Sequence, residues 1–351
     1  MNMNFMIYGA NGYTGELIAR EAARRGLRPV LAGRNREQIE SLANELKLES
    51  RVFGLQDAAQ VVENIKRSQV VLHCAGPFSA TSKPMMAACL KAGVHYLDIT
   101  GEIDVFELAQ SLHAQAAEAG IVICPGVGFD VIPTDCVAAA LKQALPDATH
   151  LALGFDSQTG FSPGTAKTST EGMAHGGKVR QDGQIVTVAL AHKVRRIDFG
   201  DGQKNAMVIP WGDVSTAFHT TGIPNIEVYV PASSAMIIGA KFTNYIRPLL
   251  KIVAVQNLLK SLIGKSVTGP DEAVRAKLPT FVWGEARNAH GQVKTARIQT
   301  VNAYSLTITG ALAVIDYLMN NQPRGGAYTP AKLIGAELVT HLPGSGPLRI
   351  S

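Results

Sequence analysis

Three glycines, at positions 9, 12 and 15, carry the first chemical signal in this chain. They lie in Gly9-Ala10-Asn11-Gly12-Tyr13-Thr14-Gly15, after an apolar run at 5–8 and before residues 16–25, which have helical periodicity. A strand that turns into a helix on glycines offers backbone N–H groups and the positive end of the helix dipole to an anion. Gly9 permits the tight exit from the strand, Gly12 lets a pyrophosphate approach the backbone, and Gly15 lets the helix pack close to the sheet. The spacing is GxxGxxG, one residue longer between the first two glycines than the common GxGxxG. About 20 residues past the fingerprint, where an acid would bond a ribose 2′-hydroxyl, stands Arg34, with Asn35 and Arg36 beside it. A guanidinium there suits a 2′-phosphate by charge and by its fork of donors. The ligand expected from these residues is NADP(H), contacted by Gly9, Asn11, Gly12, Tyr13, Thr14, Gly15, Arg34 and Asn35.

A second segment, Ala75-Gly76-Pro77-Phe78, leaves an apolar run at 70–74 and should line the same crevice. Hydride transfer also needs a group to give or take a proton. Glu102 and Asp130 are the acids chosen for that role, and His219 is a further candidate donor; Tyr96 and Asp98 lie on the strand leading to Glu102. Asp135 reads instead as the N-cap of a helix over 136–145. Thr165, Asp213, Thr216 and Thr221 are candidate substrate contacts. Tyr328 and Lys332 match the YxxxK pattern of short-chain dehydrogenases, but Thr329-Pro330 starts a helix and leaves Tyr328 outside it, so the pair is rejected. Cys74, Cys89, Cys124 and Cys136 show no metal-ligand spacing and read as reduced packing residues, with no metal expected.

The elements needed to position these residues follow a βα rhythm. Strands are expected at 5–8, 29–32, 51–55, 70–74, 94–99 and 121–124, with helices between them, including one over 106–119. That pattern is an α/β fold, a Rossmann doubly wound parallel sheet. The rhythm breaks after Pro133. Strands at 151–155, 184–190, 195–199, 226–230, 280–285 and 295–300, with hairpin signals at Asp182-Gly183 and Ala289-His290-Gly291, give a second, mixed α+β domain. Helices are expected from 163 to 175, from 304 to 320 and from 330 to 341. The expected domains are 1–130 for the nucleotide, 131–326 for substrate or dimerisation, and 327–351 as a C-terminal helix.

As a set, GANGYTG (9–15), AGRN (32–35), CAGPF (74–78), HYLDITGE (95–102) and PGVGFDVIPTD (125–135) resemble the saccharopine dehydrogenase-like oxidoreductases, in the short branch that includes trans-acting enoyl reductases. The resemblance extends through 211–230 and 325–339. It implies a two-domain, NADP-dependent reductase whose last helix returns to the Rossmann domain, and it makes saccharopine itself an unsuitable substrate.

Composition bounds the partners. The chain has 351 residues, 46% hydrophobic and 17% charged, which suits two folded domains. A net charge of +5 and 6% aromatic residues argue against a nucleic-acid partner. No basic leader precedes the first apolar run, so the cytoplasm is the expected location. Between Glu227 and Asp271 there is no acid, while Lys241, Arg247, Lys251, Lys260 and Lys265 interleave with apolar residues. Residues 231–265 therefore read as packing in a core or a homodimer interface first, and as a lid or membrane-surface contact second. The expected function is NADPH-dependent reduction of a C=C, C=N or C=O bond in a small or lipid-derived molecule held between the domains. The alternatives are an NADP(H)-binding sensor or scaffold without turnover, and a membrane-peripheral protein.

Overall fold

The computed structural model describes residues 4–157, 176–250 and 278–351. Thr165 and the helix expected over 163–175 lie outside the described residues, as does the 251–265 part of the basic segment. The chain divides into two compact units, one of 1–132 with 306–338 and one of 133–305 with 339–351.

The first unit is a parallel sheet with helices between its strands. Strands β1 (Phe5–Tyr8), β2 (Val30–Gly33), β3 (Ser50–Val52), β4 (Val70–His73), β5 (His95–Asp98) and β6 (Val122–Cys124) follow the expected rhythm. They pair in the order 6-5-4-1-2-3. Every residue of β1, β2 and β4 is buried, because helices cover both faces of a parallel sheet. The order reverses between β1 and β4, and the loops leaving these two strands flank the ligand crevice of such folds. Helices α1 (Tyr13–Arg24), α2 (Arg36–Leu46), α3 (Ala58–Ile65) and α4 (Phe78–Ala92) connect the strands. The single helix expected over 106–119 is two, α5 (Ile103–Ser111) and α6 (His113–Glu118), broken at Leu112.

The sheet has a seventh strand that the βα rhythm does not announce. Gly326–Ala327 pairs parallel with β6, so the edge of the nucleotide sheet comes from the far end of the chain. Consequently the domain limits differ from those expected at 131–326 and 327–351. Residues 306–326 belong with the first unit, and 339–351 belong with the second, where Arg349–Ile350 pairs antiparallel with strand Val293–Thr300. The terminal helix is also divided. Thr329 caps Pro330–Ile334, Gly335 ends it at φ 122°, and a separate turn spans Leu338–His341.

The second unit is built on a mixed sheet, antiparallel except where Asn225–Pro231 runs parallel to Ala148–Ser157. Its core packs Trp283, Tyr229 and Phe199 against Ala206 and Val208. Strands Gly177–Gln181 and Gln203–Val208 were not among those expected; both are short, the first mostly buried and the second mixed in exposure, with little periodic signal. The Asp182-Gly183 turn carries positive φ at both residues, 49° and 80°, as a type I′ hairpin requires. Asp135 is not an N-cap, since its helix already begins at Ile132 and places it in the first turn, fully buried. The Thr220 hydroxyl donates to its carboxylate.

Candidate nucleotide site

The glycine loop is shaped by close backbone contact rather than by looseness. Gly9 has φ 83°, and a Cβ there would stand 2.7 Å from the Ala75 nitrogen. The loops after β1 and β4 therefore touch at the point where strand order reverses. A Cβ on Gly15 would meet the Gly9 carbonyl oxygen at 2.3 Å, so only glycine lets α1 start this close to the strand. Gly12 is the N-cap of α1 and supplies no side-chain acceptor to its first turn. Asp57, by contrast, accepts from Ala59 and Gln60 at the start of α3, and Asn35 accepts from Gln38 at the start of α2. No side chain of the N-cap residue thus occupies the start of α1.

Beside this loop, Asn11 donates to the Gln38 side chain at 2.7 Å, tying the glycine turn to α2. Gly33 leaves room for it, since a Cβ there would stand 2.9 Å from the Asn11 Oδ1. The Asn35 side chain is taken by its own helix, and Arg36 pairs with Glu40 at 2.7 Å. Arg34 is exposed. Its positive charge opposes the rise that burial produces in the Tyr8 phenol at the end of β1. Tyr13 and Thr14 form the first turn of α1.

The three other crevice segments are bound to one another through Asp98. Its buried carboxylate accepts from the Tyr96 hydroxyl at 2.7 Å, from Thr100 N at 3.0 Å and from Gly126 N at 2.8 Å. Burial pushes its pKa up to about 6 against those stabilising bonds. Thr100 in turn accepts from Glu102 N at 3.0 Å. The Glu102 carboxylate then takes the N–H groups of Phe78 at 2.9 Å and Ser79 at 2.7 Å, at the start of α4. Segments 75–78, 98–102 and 125–127 are one hydrogen-bonded assembly. Asp130 joins it sterically, because its Oδ2 sits 2.8 Å from where a Cβ on Gly101 would be. Burial raises the Asp130 carboxyl to about 6.

Sequence reading did not single out His73. This histidine is fully buried at the end of β4, with Nε2 2.9 Å from the Thr81 hydroxyl, which itself donates to Ala75 O at 2.7 Å. Its ring lies edge-on to Phe78 at 5.5 Å, and burial pushes its pKa down to about 3. Only its place before Cys74-Ala75-Gly76 marks it in the sequence. Burial and the nearby Asp98 charge push the Cys74 thiol up, out of the reactive range.

Glu102 and Asp130 stand together around Gly101 in the first unit, whereas His219 lies in the second, on helix Asp213–Thr221, packed against Phe218 at 5.5 Å. Asp213 and Thr216 are buried in that helix, and the Thr221 hydroxyl donates to Ala217 O within it. Tyr328 precedes its helix, with its hydroxyl on Arg324 O, so it has no helical pairing with Lys332. Among the described residues no group of three His, Cys, Asp or Glu could hold a metal.

Residues 5–124 match the model of the saccharopine dehydrogenase NADP-binding domain. A human saccharopine dehydrogenase-like oxidoreductase is 30% identical over 152 residues, 38% of this chain and 35% of that protein. A trans-acting enoyl reductase of Mycobacterium tuberculosis is 35% identical over 185 residues, 48% of this chain and 44% of that protein. The chain thus spans less than half the length of these curated relatives. Apo saccharopine dehydrogenase (L-Glu forming) from Saccharomyces cerevisiae superposes with a TM-score of 0.67 over 99% of this chain and 100% of that one, at 10% identity, a likeness of fold. Residues 5–124 are thus similar to the saccharopine dehydrogenase NADP-binding domain, and the chain shares the fold of saccharopine dehydrogenase.

Proposed function

We propose that this protein is an NADPH-dependent oxidoreductase that reduces a C=C, C=N or C=O bond in a small or lipid-derived substrate. The observation that carries the reading is the pairing of an α1 terminus without a side-chain cap and an exposed Arg34 in the position that an acid holds in NAD-selective domains. The likeness to oxidoreductases over 38% and 48% of the chain supports it.

When bound, NADPH supplies the hydride. The chain's own part begins with the backbone of Gly9 to Gly15, which would hold the pyrophosphate, and with Arg34, which would hold the 2′-phosphate. Ala75 to Phe78, held by Glu102, would line the nucleotide's crevice. With its carboxylate committed to the start of α4, Glu102 is a positioning residue, and Asp130 is the proton donor. A carboxyl raised to about 6 is half protonated at that pH and keeps its proton in about a tenth of molecules at pH 7, far more than an ordinary aspartate, as a general acid requires. Titration of the purified protein with NADPH and NADH, followed by NADPH consumption across enones, imines and aldehydes, tests the reading. Failure to bind either nucleotide overturns it, and tight NADPH binding with no turnover on any acceptor makes the protein a nucleotide sensor instead.

A further inference from the structure

Helix Ser234–Leu250 has an unusual surface. Ser233 opens it, its hydroxyl oxygen accepting from Met236 N at 3.2 Å. One face is fixed to the second unit: the Asn244 amide receives Leu190 N at 2.8 Å and donates to Leu190 O at 3.1 Å, while Ile237, Ala240 and Arg247 are partly buried on the same side. The opposite face is open and apolar. Ile238 is 67% exposed, Phe242 63% and Tyr245 83%, at spacings of four and three that form one stripe, with Met236 at 55% and Ile246 at its flanks. The Phe242 and Tyr245 rings stand together at 6.4 Å. Scattered exposed apolar residues are ordinary, but a contiguous stripe with two adjoining aromatic rings marks a contact surface.

We propose that this face docks on an anionic lipid surface. The charge pattern selects that occupant. Lys241 is exposed beside the stripe, and the chain carries no carboxylate anywhere between Glu227 and Asp271. A second copy meeting the same face across a two-fold axis would bring Lys241 toward its own kind with no acid of this helix to neutralise it. A layer of phosphate headgroups over acyl chains complements both features, taking the lysine at headgroup level and the Ile238, Phe242 and Tyr245 side chains below it. Tyrosine and phenylalanine suit that boundary because one end is apolar and, for Tyr245, the other is wet. No described helix is long and apolar enough to cross a membrane, so the contact is interfacial.

The test is flotation of the full chain with vesicles of phosphatidylcholine alone and of equimolar phosphatidylcholine and phosphatidylglycerol. The protein is expected to float with the second and not the first, and to detach as salt rises. Lys241→Gln should lower the partition roughly fivefold, and Phe242→Ser with Tyr245→Ser at least about tenfold. NADPH binding and the melting temperature should be unchanged, since none of these side chains touches the nucleotide site. Absence of flotation on anionic vesicles overturns the proposal. Equal flotation on both lipids, or by the double variant, overturns it as well. A dimer in sedimentation that Phe242→Ser dissociates assigns the stripe to a second copy and does the same.

Discussion

The carboxylate of Glu102 accepts the backbone N–H of Phe78 at 2.9 Å, joining two crevice loops 24 residues apart in the chain. With the Ser79 N–H on its other oxygen, the same side chain satisfies two of the donors that α4 leaves unpaired at its start. An acid in this position supports the segment that faces Gly9. Replacement by alanine should therefore cost about 2 kcal/mol of unfolding free energy, a typical loss for hydrogen bonds to a charged group. Glu102→Gln, which keeps one acceptor oxygen, should cost less. Urea denaturation measures both, and NADPH affinity should fall in the same order as the 75–78 loop loosens.

Arg34→Ala is expected to weaken NADPH binding by roughly tenfold to a hundredfold, the worth of a charge-assisted contact to a phosphate. NADH, which has no 2′-phosphate, should be affected much less. Parallel fluorescence titrations of the two nucleotides give the ratio. An equal loss on both would mean that Arg34 is not the group that reads the 2′ position.

Two glycines near each other in sequence should respond differently to alanine. At Gly15 the added methyl meets the Gly9 carbonyl oxygen at 2.3 Å, a backbone atom that cannot turn aside. At Gly26 it meets nothing within 4 Å, and the cost is only that of φ 78° for a non-glycine residue. Gly26→Ala should thus lose about 1 kcal/mol and bind NADPH normally. Gly15→Ala should lose more and bind NADPH poorly, because α1 must shift away from the strand. Melting curves with and without NADPH separate the two effects.

Buried His73 should make the fold sensitive to acid. Its pKa falls from an ordinary 6.5 to about 3 in the folded protein. Between those values the unfolded chain binds a proton that the folded chain refuses, so this contribution is complete above pH 6.5 and is lost as pH falls toward 3. At pH 4.5 the loss is about 3 kcal/mol. Asp98 and Asp130, both raised from 3.8 to about 6, act in the opposite sense: their ionisation costs stability as pH rises through that window. The measurement that isolates His73 is therefore a comparison of His73→Phe with the unaltered protein. The variant's relative stability should rise on going from pH 7 to pH 4.5, and a constant difference would show that His73 takes up no fewer protons when folded.

Asp130→Asn should leave NADPH affinity near that of the unaltered protein and lower turnover by roughly a hundredfold or more, the usual contribution of a general acid. In the unaltered protein the rate should decline as pH rises through about 6, where Asp130 loses its proton. The variant should lack that limb. pH–rate profiles on an accepted substrate distinguish a lost proton donor from a disturbed loop, which would change affinity instead.

Much of the glycine loop and its surroundings could be read from residues adjacent in the chain. The apolar run at Phe5–Tyr8, the three glycines and Arg34 lie within 30 residues of one another, and each acts through its own backbone conformation, size or charge. The roles of Asn35 and Glu102 could not be read in the same way. Asn35 reads as a nucleotide contact, and its side-chain oxygen also completes the first turn of its own helix, a second task that a residue type alone does not announce. Glu102 looked like a free acid because its two partners are main-chain groups, and main-chain groups have no letter in the sequence.

By itself, then, the sequence determined local matters: the six βα strands of the first sheet, the glycine turn that leads the first of them into a helix, and the hairpin turn at Asp182-Gly183. Periodicity and side-chain size are sufficient for these because neighbours along the chain are enough to set them. Tertiary structure alone decided which distant segments share a task. It set Asp98 against Gly126 N and Thr307 against Phe129 N, 178 residues away, and it brought Gly326–Ala327 back to the edge of the first sheet. It also left Ile238, Phe242 and Tyr245 facing outward, although the same apolar residues would suit a core equally well. Burial and hydrogen bonding depend on what is packed alongside, and no spacing within a segment records that.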